Sequence, residues 1–463
     1  MRTISALLVL TGVSLLGNQA LAADLGGDCC ADLEERITEL ESTTARKGNR
    51  KVSLEISGQI NQTILAWDDG GERDVYQLMN SNSGDRVRFT GSSRISKDLN
   101  AGFFLELGAR LDATASADQF SPGDDGEEIR TRQSIWFVES KALGALSIGL
   151  GAPATDDLIA YNLGGTNVAA SANAPLIGGA FFTRDSAADT LNSLASGSTI
   201  SLRWRRFFER LDSPTDNMVR YDSPIMMGFA ASASWGGDDY WDVALRYARD
   251  TRDFKIAMGI GYYEDRNETN NTLGWPRGGD NEPNGRDTKI REIKGSASIR
   301  HEPTGLFASA AFVHREFDGN DRGVQTFACF DSPDAQNIVA NGIGCTNRPD
   351  FDYFWVSGGI RQKWLPIGST SIYGEYARSE DAVTGLNVAV TSAVGGDIDY
   401  VTDSTLDLWG IGIVQQVRAA QMEVYLSYRH LDATVRGVES TGPQVEAPLD
   451  DIDLFMAGSR IRF

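Results

Sequence analysis

From Val52 onward, apolar and polar side chains alternate. In residues 52–66 one side carries Val52, Leu54, Ile56, Ile60, Ile64 and Ala66, and the other carries Ser53, Glu55, Ser57, Gln59, Asn61 and Thr63. A period of two marks a strand with one apolar and one wet face. The pattern returns at 102–112, where Phe103, Leu105, Leu107 and Leu111 oppose Glu106, Arg110 and Asp112. It returns at 421–430, where Met422, Val424, Leu426 and Tyr428 oppose Glu423, Ser427 and Arg429.

The connections alternate as well. Short turns are predicted near 97–101, 140–144, 223–228, 249–253, 302–305, 365–368 and 417–420. Longer or more polar connections are predicted near 68–85, 113–128, 152–216, 236–241, 264–289, 316–352, 379–404 and 431–450. Seven short and eight generally long connections predict sixteen strands, with both ends of the strand region on the short-turn side. The expected fold class is all-β: a 16-stranded antiparallel transmembrane β-barrel with a short N-terminal periplasmic helix. A soluble sandwich has shorter strands and no such regular alternation of loop length. Trp67, Trp235, Trp241, Trp355, Trp364 and Trp409 fall near strand ends, where interfacial aromatic girdles belong.

The first residues follow other rules. Met1-Arg2, an apolar run from Ala6 to Leu16, and small residues at Ala20 and Ala22 predict a secretory signal over 1–23. The run is too short to span a membrane, and Asp28 ahead of Cys29 does not suit a lipoprotein. Within 24–51, Leu33, Ile37 and Leu40 form a narrow apolar stripe among Glu34, Glu35, Arg36, Glu39 and Glu41, which predicts a short amphipathic helix. Two arrangements remain open for it: self-association in an oligomer, as a coiled-coil seam, or lying alone under the barrel. A basic linker, Ala45 to Lys51, leads into the barrel at 52–463.

The formal charge is −21, and removal of Arg2 with the signal leaves 42 basic against 64 acidic residues, or −22. Such a surface argues against nucleic acid as a partner. Cys29 and Cys30 are adjacent, while Cys329 and Cys345 share the connection at 316–352. An exported chain permits a Cys329–Cys345 disulfide, and none of the spacings is that of a zinc or redox motif. His301, His314 and His430 lie in separate segments, so no metal site is expected from them. No nucleophile elbow, phosphate-binding loop or dinucleotide fingerprint occurs, and Gly149-Leu150-Gly151 reads as close-packed strand. No cofactor and no catalysis are expected. The competing classes are an outer-membrane hydrolase built on His314 or His430, and a substrate-specific gated transporter, for which the mature N-terminus is too short to supply a plug domain.

Specific residues carry a resemblance. Asp28-Cys29-Cys30-Ala31-Asp32-Leu33-Glu34-Glu35-Arg36, then Ala45 to Val52 leading into Ser57-Gly58-Gln59-Ile60-Asn61, resemble the alphaproteobacterial porin family. Val219-Arg220-Tyr221-Asp222-Ser223-Pro224, Gly228-Phe229, Ser234-Trp235-Gly236 and the run from Asp238 to Ala244 continue the likeness. The chain ends in Phe463, with Phe455, Ala457 and Ile461 on the same face, similar to the C-terminal signature read by barrel assembly machinery. The resemblance implies a homotrimeric passive channel in the outer membrane, surrounded by lipid and lipopolysaccharide. It implies passage of small hydrophilic solutes and a third extracellular loop folded into the pore.

Strand parity then names the pore lining. If Val87, Phe89 and Ile95 face lipid, Arg86, Arg88 and Arg94 face the lumen; on the next strands Glu106 and Arg110 face in, and Arg130 and Arg132 do so unless the strand is bulged. The long connection at 152–216 carries Asp156, Asp157, Asp185, Asp189, Glu209 and Asp212 besides several arginines. The expected constriction sets Arg86, Arg88, Arg110, Arg130, Arg132 and Glu106 on the wall against Asp156, Asp157, Asp185 and Asp189 on the loop. The opposing signs leave net selectivity open, while the overall acidity points to a modest cation preference.

Overall fold

The computed structural model describes residues 52–110, 112–123, 128–193, 200–208, 210–237, 240–265, 289–318, 349–384, 388–389, 398, 400–438 and 444–463. The side chains of residues 110, 200, 289, 318, 388–389 and 400 are outside that description. The predicted signal, the N-terminal helix and all four cysteines, Cys329 and Cys345 included, lie outside the described residues.

Sixteen antiparallel strands form one closed sheet. They are β1 (Ser53–Asp68), β2 in two pieces (Arg73–Met79 and Arg86–Arg94), β3 (Leu99–Arg110), β4 (Glu128–Ser140), β5 (Gly144–Gly151), β6 (Asp216–Asp222), β7 (Phe229–Gly236) and β8 (Trp241–Asp250). The second half comprises β9 (Phe254–Asp265), β10 (Lys289–His301), β11 (Leu306–Asp318), β12 (Phe351–Leu365), β13 (Gly368–Glu380), β14 (Tyr400–Val417), β15 (Met422–Val438) and β16 (Ile452–Arg462). Each strand pairs with its sequence neighbours, and β1 pairs with β16 from Gln59↔Arg462 to Asp68↔Asp453. No helix among the described residues is long and apolar enough to cross a membrane. The strands do the crossing, because a closed sheet satisfies its backbone without water.

Closure reaches the last residue. Gly58 and Phe463 exchange two backbone hydrogen bonds, of 2.8 and 3.1 Å. The Phe463 ring occupies the space a side chain at Gly58 would need: a Cβ there would lie 2.6 Å from it.

The connection expected over 68–85 is largely strand, and the one expected at 236–241 is as brief as its bounds imply. The polar stretch 68–85 is a tight turn, then strand, then an interruption. Asp69 accepts hydrogen bonds from the amides of Gly71 and Glu72, and Gly70 supplies the positive φ of +87°. Strand β2 then runs up to Met79, leaves the wall at Asn80–Asp85, and rejoins it at Arg86. Between β7 and β8 only residues 237–240 intervene.

Alternation sorts the side chains into an outer apolar face, with Ile60, Ile64, Phe103, Trp136, Ile260, Phe312, Ile411 and Leu426 exposed, and an inner face. The tryptophans divide between the two. Trp235, Trp364 and Trp409 are exposed, but Trp67 and Trp355 are buried and point inward. Trp355 pairs across the ladder with Ala311 and Ala377, which puts it on the inner face. There it meets the long loop that follows β5. The lumen is therefore lined partly by an apolar core, with Phe181, Trp204, Phe207 and Phe208 of that loop packed against Trp67, Tyr353, Trp355 and Leu408 of the wall.

Deleting Phe463, or substituting Gly58→Val, opens the β1–β16 seam. The heat-modifiable folded form in outer-membrane fractions is expected to fall several-fold in either variant, and an undiminished yield would show that the seam closes without this pair.

Candidate functional site

The wall comes first. Arg86 and Arg88 on β2, Glu106 on β3 and Arg132 on β4 meet inside the barrel. The Glu106 carboxylate accepts from Arg88 Nε at 2.5 Å and Arg132 Nε at 2.7 Å, with Arg86 Nη1 at 3.7 Å. Glu106 is fully buried, whereas Arg88 and Arg132 remain 41 % and 34 % exposed. One carboxylate thus orders three guanidinium groups, and the bundle keeps a net positive face toward the lumen.

The strand is indeed bulged here. Gln133 lies opposite Glu106 and Thr131 opposite Leu107, so Arg132 is the extra residue. Arg130 lies opposite Gly108, and a Cβ at Gly108 would meet the Arg132 side chain at 2.5 Å. The glycine makes the room that lets the bulged Arg132 turn inward to Glu106. Arg110 ends β3, but its side chain is outside the description.

The described residues of 152–215 form the opposite side. Segments without regular ladders carry unpaired carbonyls, and the barrel supplies donors to them. Arg220 on β6 donates to Ala152 O and Pro153 O, each at 3.0 Å. Arg246 on β8 donates to Ala154 O at 2.6 Å and Asp156 O at 3.1 Å. Arg300 on β10 donates to Leu163 O at 3.0 Å, and Arg315 on β11 to Arg210 O. Arg429 on β15 donates to Ser171 O and Ala174 O, both at 3.3 Å, while Glu375 on β13 holds its Nε at 2.8 Å. With the apolar packing, these bonds fasten the loop to the inner faces of β6–β16 and β1. Arg86, Arg88 and Arg132 bond to Glu106 and Gly84 rather than to the loop.

Facing them are Asp156, Asp157 and Asp212, half-buried, with carboxylate oxygens within 4.8 Å of one another. Asp242 fixes this part of the loop by accepting from Thr155 N at 2.6 Å and Thr155 Oγ1 at 2.7 Å. Asp157 takes a left-handed φ of 58°, and its amide donates to Asp212 Oδ1 at 3.0 Å. Burial and the neighbouring Asp212 charge push the Asp157 carboxyl up to about 7, against the pull of Arg86, Arg246 and Arg132. Burial, Asp157 and Asp212 push Asp156 up as well. Three carboxylates at this spacing can hold a hard cation. Here Lys294 Nζ, 3.9 Å from Asp212 and 3.0 Å from Glu292, brings positive charge to the cluster.

The interruption in β2 is a third component. Asp85 Oδ1 accepts the Asn61 amide at 2.6 Å, and Asn61 O accepts the Asn80 amide at 3.1 Å, replacing the ladder bonds that β1 loses there. Its tip reaches the loop: Asn80 Nδ2 donates to Val168 O at 2.8 Å and Asn82 Nδ2 to Asn167 O at 2.5 Å. Only the polar composition of Asn80–Asp85 hinted at this in the sequence.

Asp185 and Asp189 lie elsewhere. Asp185 accepts from the amides of Ala187 and Ala188, and Asp189 bonds Arg184, which also binds Asp69 at the far end of β1. Asp69 is ten residues along β1 from Gln59, the partner of Arg86. These two acids belong to a hairpin at the extracellular end, and the geometry gives them no place opposite the arginine wall. Asp212, brought back by the returning end of the loop, stands there instead.

A model of the Gram-negative porin family matches residues 16–436. The chain belongs to that family. It is an outer-membrane β-barrel and a diffusion channel. No curated protein matches this porin in sequence. Among solved structures, the anion-selective porin from Comamonas acidovorans shares its fold at 15% identity, covering 89% of this chain and 100% of that one with a TM-score of 0.50. The trimer form of OmpT from Vibrio cholerae aligns at 14% identity, 89% and 99% coverage and TM-score 0.49. OmpF of Salmonella typhi, in complex with daunomycin, aligns at 12%, 90% and 99% coverage and 0.46.

Replacing Arg429 by Ala leaves Glu375 as an uncompensated buried charge and frees two loop carbonyls, a loss on the order of 3–5 kcal/mol. The unfolding temperature of the purified barrel should drop and open-channel current noise should rise. A variant with wild-type melting and wild-type noise would show that the loop is held by other means.

Proposed function

We propose that this porin passes small hydrophilic solutes and ions passively through a constriction bounded by Arg86, Arg88, Arg132 and Glu106 on one side and Asp156, Asp157 and Asp212 on the other. Arg130, facing inward above Arg132, extends the basic side. The observation that carries the reading is the opposition of charges: a wall ordered by one carboxylate against a loop bearing three, each side fixed by separate bonds. A field across the opening favours water and polar solutes that can align in it, and disfavours apolar ones. The channel is a homotrimer with no catalytic activity. Supporting the second point, His314 and His430 pair with Asp352 at 2.7 Å and Asp453 at 2.8 Å, and neither faces the loop. The excess of acidic residues gives the channel a modest cation preference at neutral pH and low salt.

Planar-bilayer recording tests this directly. Arg86→Ser with Arg132→Ser should raise conductance and move the reversal potential toward cations, more at low salt than at high. Asp156→Asn with Asp157→Asn should move it toward anions. If neither pair changes conductance or reversal potential, the constriction lies elsewhere.

The elevated Asp157 adds a pH dependence. As pH falls through about 7 the Asp157 carboxyl takes up a proton and the loop loses negative charge. The reversal potential of the wild type should therefore shift toward anions between pH 8 and pH 5.5, and the shift should shrink in Asp157→Asn. An equal shift in both would assign it to other groups.

A further inference from the structure

The turns at the periplasmic end are not alike. Those at 251–253, 302–305 and 418–421 carry Thr, Arg, Asp, Glu, Pro, Gly, Ala and Gln, and the turn at 365–368, which exposes Leu365 and Ile367, stands alone between the last two of these. The three that join β2 to β3, β4 to β5 and β6 to β7 instead expose Ile95, Leu143, Ile225, Met226 and Met227. They are consecutive along the rim. Tyr221 Oη donates to Leu143 O at 2.7 Å and ties the second to the base of the third.

Met227 is the sharpest of these. Met226 and Phe229 exchange two backbone hydrogen bonds around Met227 and Gly228, whose φ angles are +53° and +92°. This is a two-residue hairpin of the kind that favours Asn-Gly or Asp-Gly, because both central residues are left-handed. A methionine there carries the steric cost of its Cβ, and its side chain is 95% exposed. A strained apolar residue that buries nothing in the barrel indicates a contact outside it.

We infer that these three turns form the docking surface for residues 32–41 of the same chain. The stripe Leu33, Ile37 and Leu40 supplies the apolar complement. Charge agrees: Asp32, Glu34, Glu35, Glu39 and Glu41 outnumber Arg36, and Lys97 and Lys141 sit exposed beside Ile95 and Leu143. Reach agrees too. Residues 42–52 extend to at most about 36 Å. The β6–β7 turn is between five and six strand spacings from β1, about 26 Å at ~4.8 Å each. As a helix, residues 32–41 would be about 15 Å long, comparable with the ~19 Å that separates the first turn from the third. The segment thus lies across the rim of its own barrel rather than in a seam with other copies.

The test uses the full mature chain in outer-membrane fragments. A photoreactive benzoylphenylalanine replaces Met227, and the adduct is mapped after irradiation. The expected adduct falls within 32–41 and runs at monomer mass after boiling. Adducts to lipid alone, to another copy at dimer mass, or no adduct to 32–41 would overturn the assignment. In parallel, hydrogen exchange at amides 33–41 is compared between the wild type and Met226→Ser with Met227→Asn, a pair that suits the turn better and leaves folded yield unchanged. Exchange is expected to speed up at least tenfold in the variant; unchanged exchange would equally overturn the proposal. Single-channel conductance of this variant should equal the wild type, which keeps the test separate from the pore assignment.

Discussion

Within hydrocarbon, a backbone amide or carbonyl without a partner costs several kcal/mol, on the order of a whole side chain's contribution to stability. That constraint governs the molecule. Sixteen strands meet it by pairing each with its neighbours from β1 round to β16, which closes on β1. Where β2 leaves the wall, the carboxylate of Asp85 and the amide of Asn80 take over the orphaned groups of Asn61. The repaired gap also sends Asn80 and Asn82 across to the loop, so an interruption in the sheet becomes part of the pore.

The same accounting explains the arginines. A loop running through the lumen without ladders of its own carries carbonyls that need donors. Arginine presents five N–H groups on a planar fork and stays charged. Arg220, Arg246, Arg300, Arg315 and Arg429 each give hydrogen bonds to loop carbonyls, and the last two are balanced by Glu292 and Glu375. The arginines of the bare wall do something different. They gather on Glu106 and keep a charged face toward the passage, opposite acids that the loop can present because its far side is already fastened.

Much of this was legible from residue order. The period of two marked the strands, and parity put Arg86, Arg88 and Glu106 on the inner face. Parity fails at a bulge: in regular strand Arg130 and Arg132 would share the outward face of Trp136, and only the register shift between Glu106 and Leu107 turns them inward. It fails differently for Trp67 and Trp355. Their positions near strand ends suggested a girdle, yet the inner face of this barrel is not wholly wet, because the loop brings an apolar surface to meet them. Asp185 and Asp189 had the right charge and the right loop, but a chain of over sixty residues returns on itself, and sequence order does not say which acid stops where.

The sequence by itself determined the sheet: its strand count, its closure through a terminal aromatic, and the division of side chains between lipid and lumen. These follow from local periodicity and from a hydrogen-bonding rule that admits few solutions in a membrane. Only the tertiary structure decided the course of the long loop along the inner wall. It depends on contacts between residues such as Arg220 and Ala152, or Arg429 and Ala174, that are far apart in the chain. Such contacts are selected by the packing of one irregular loop against a curved wall, and no local pattern encodes that.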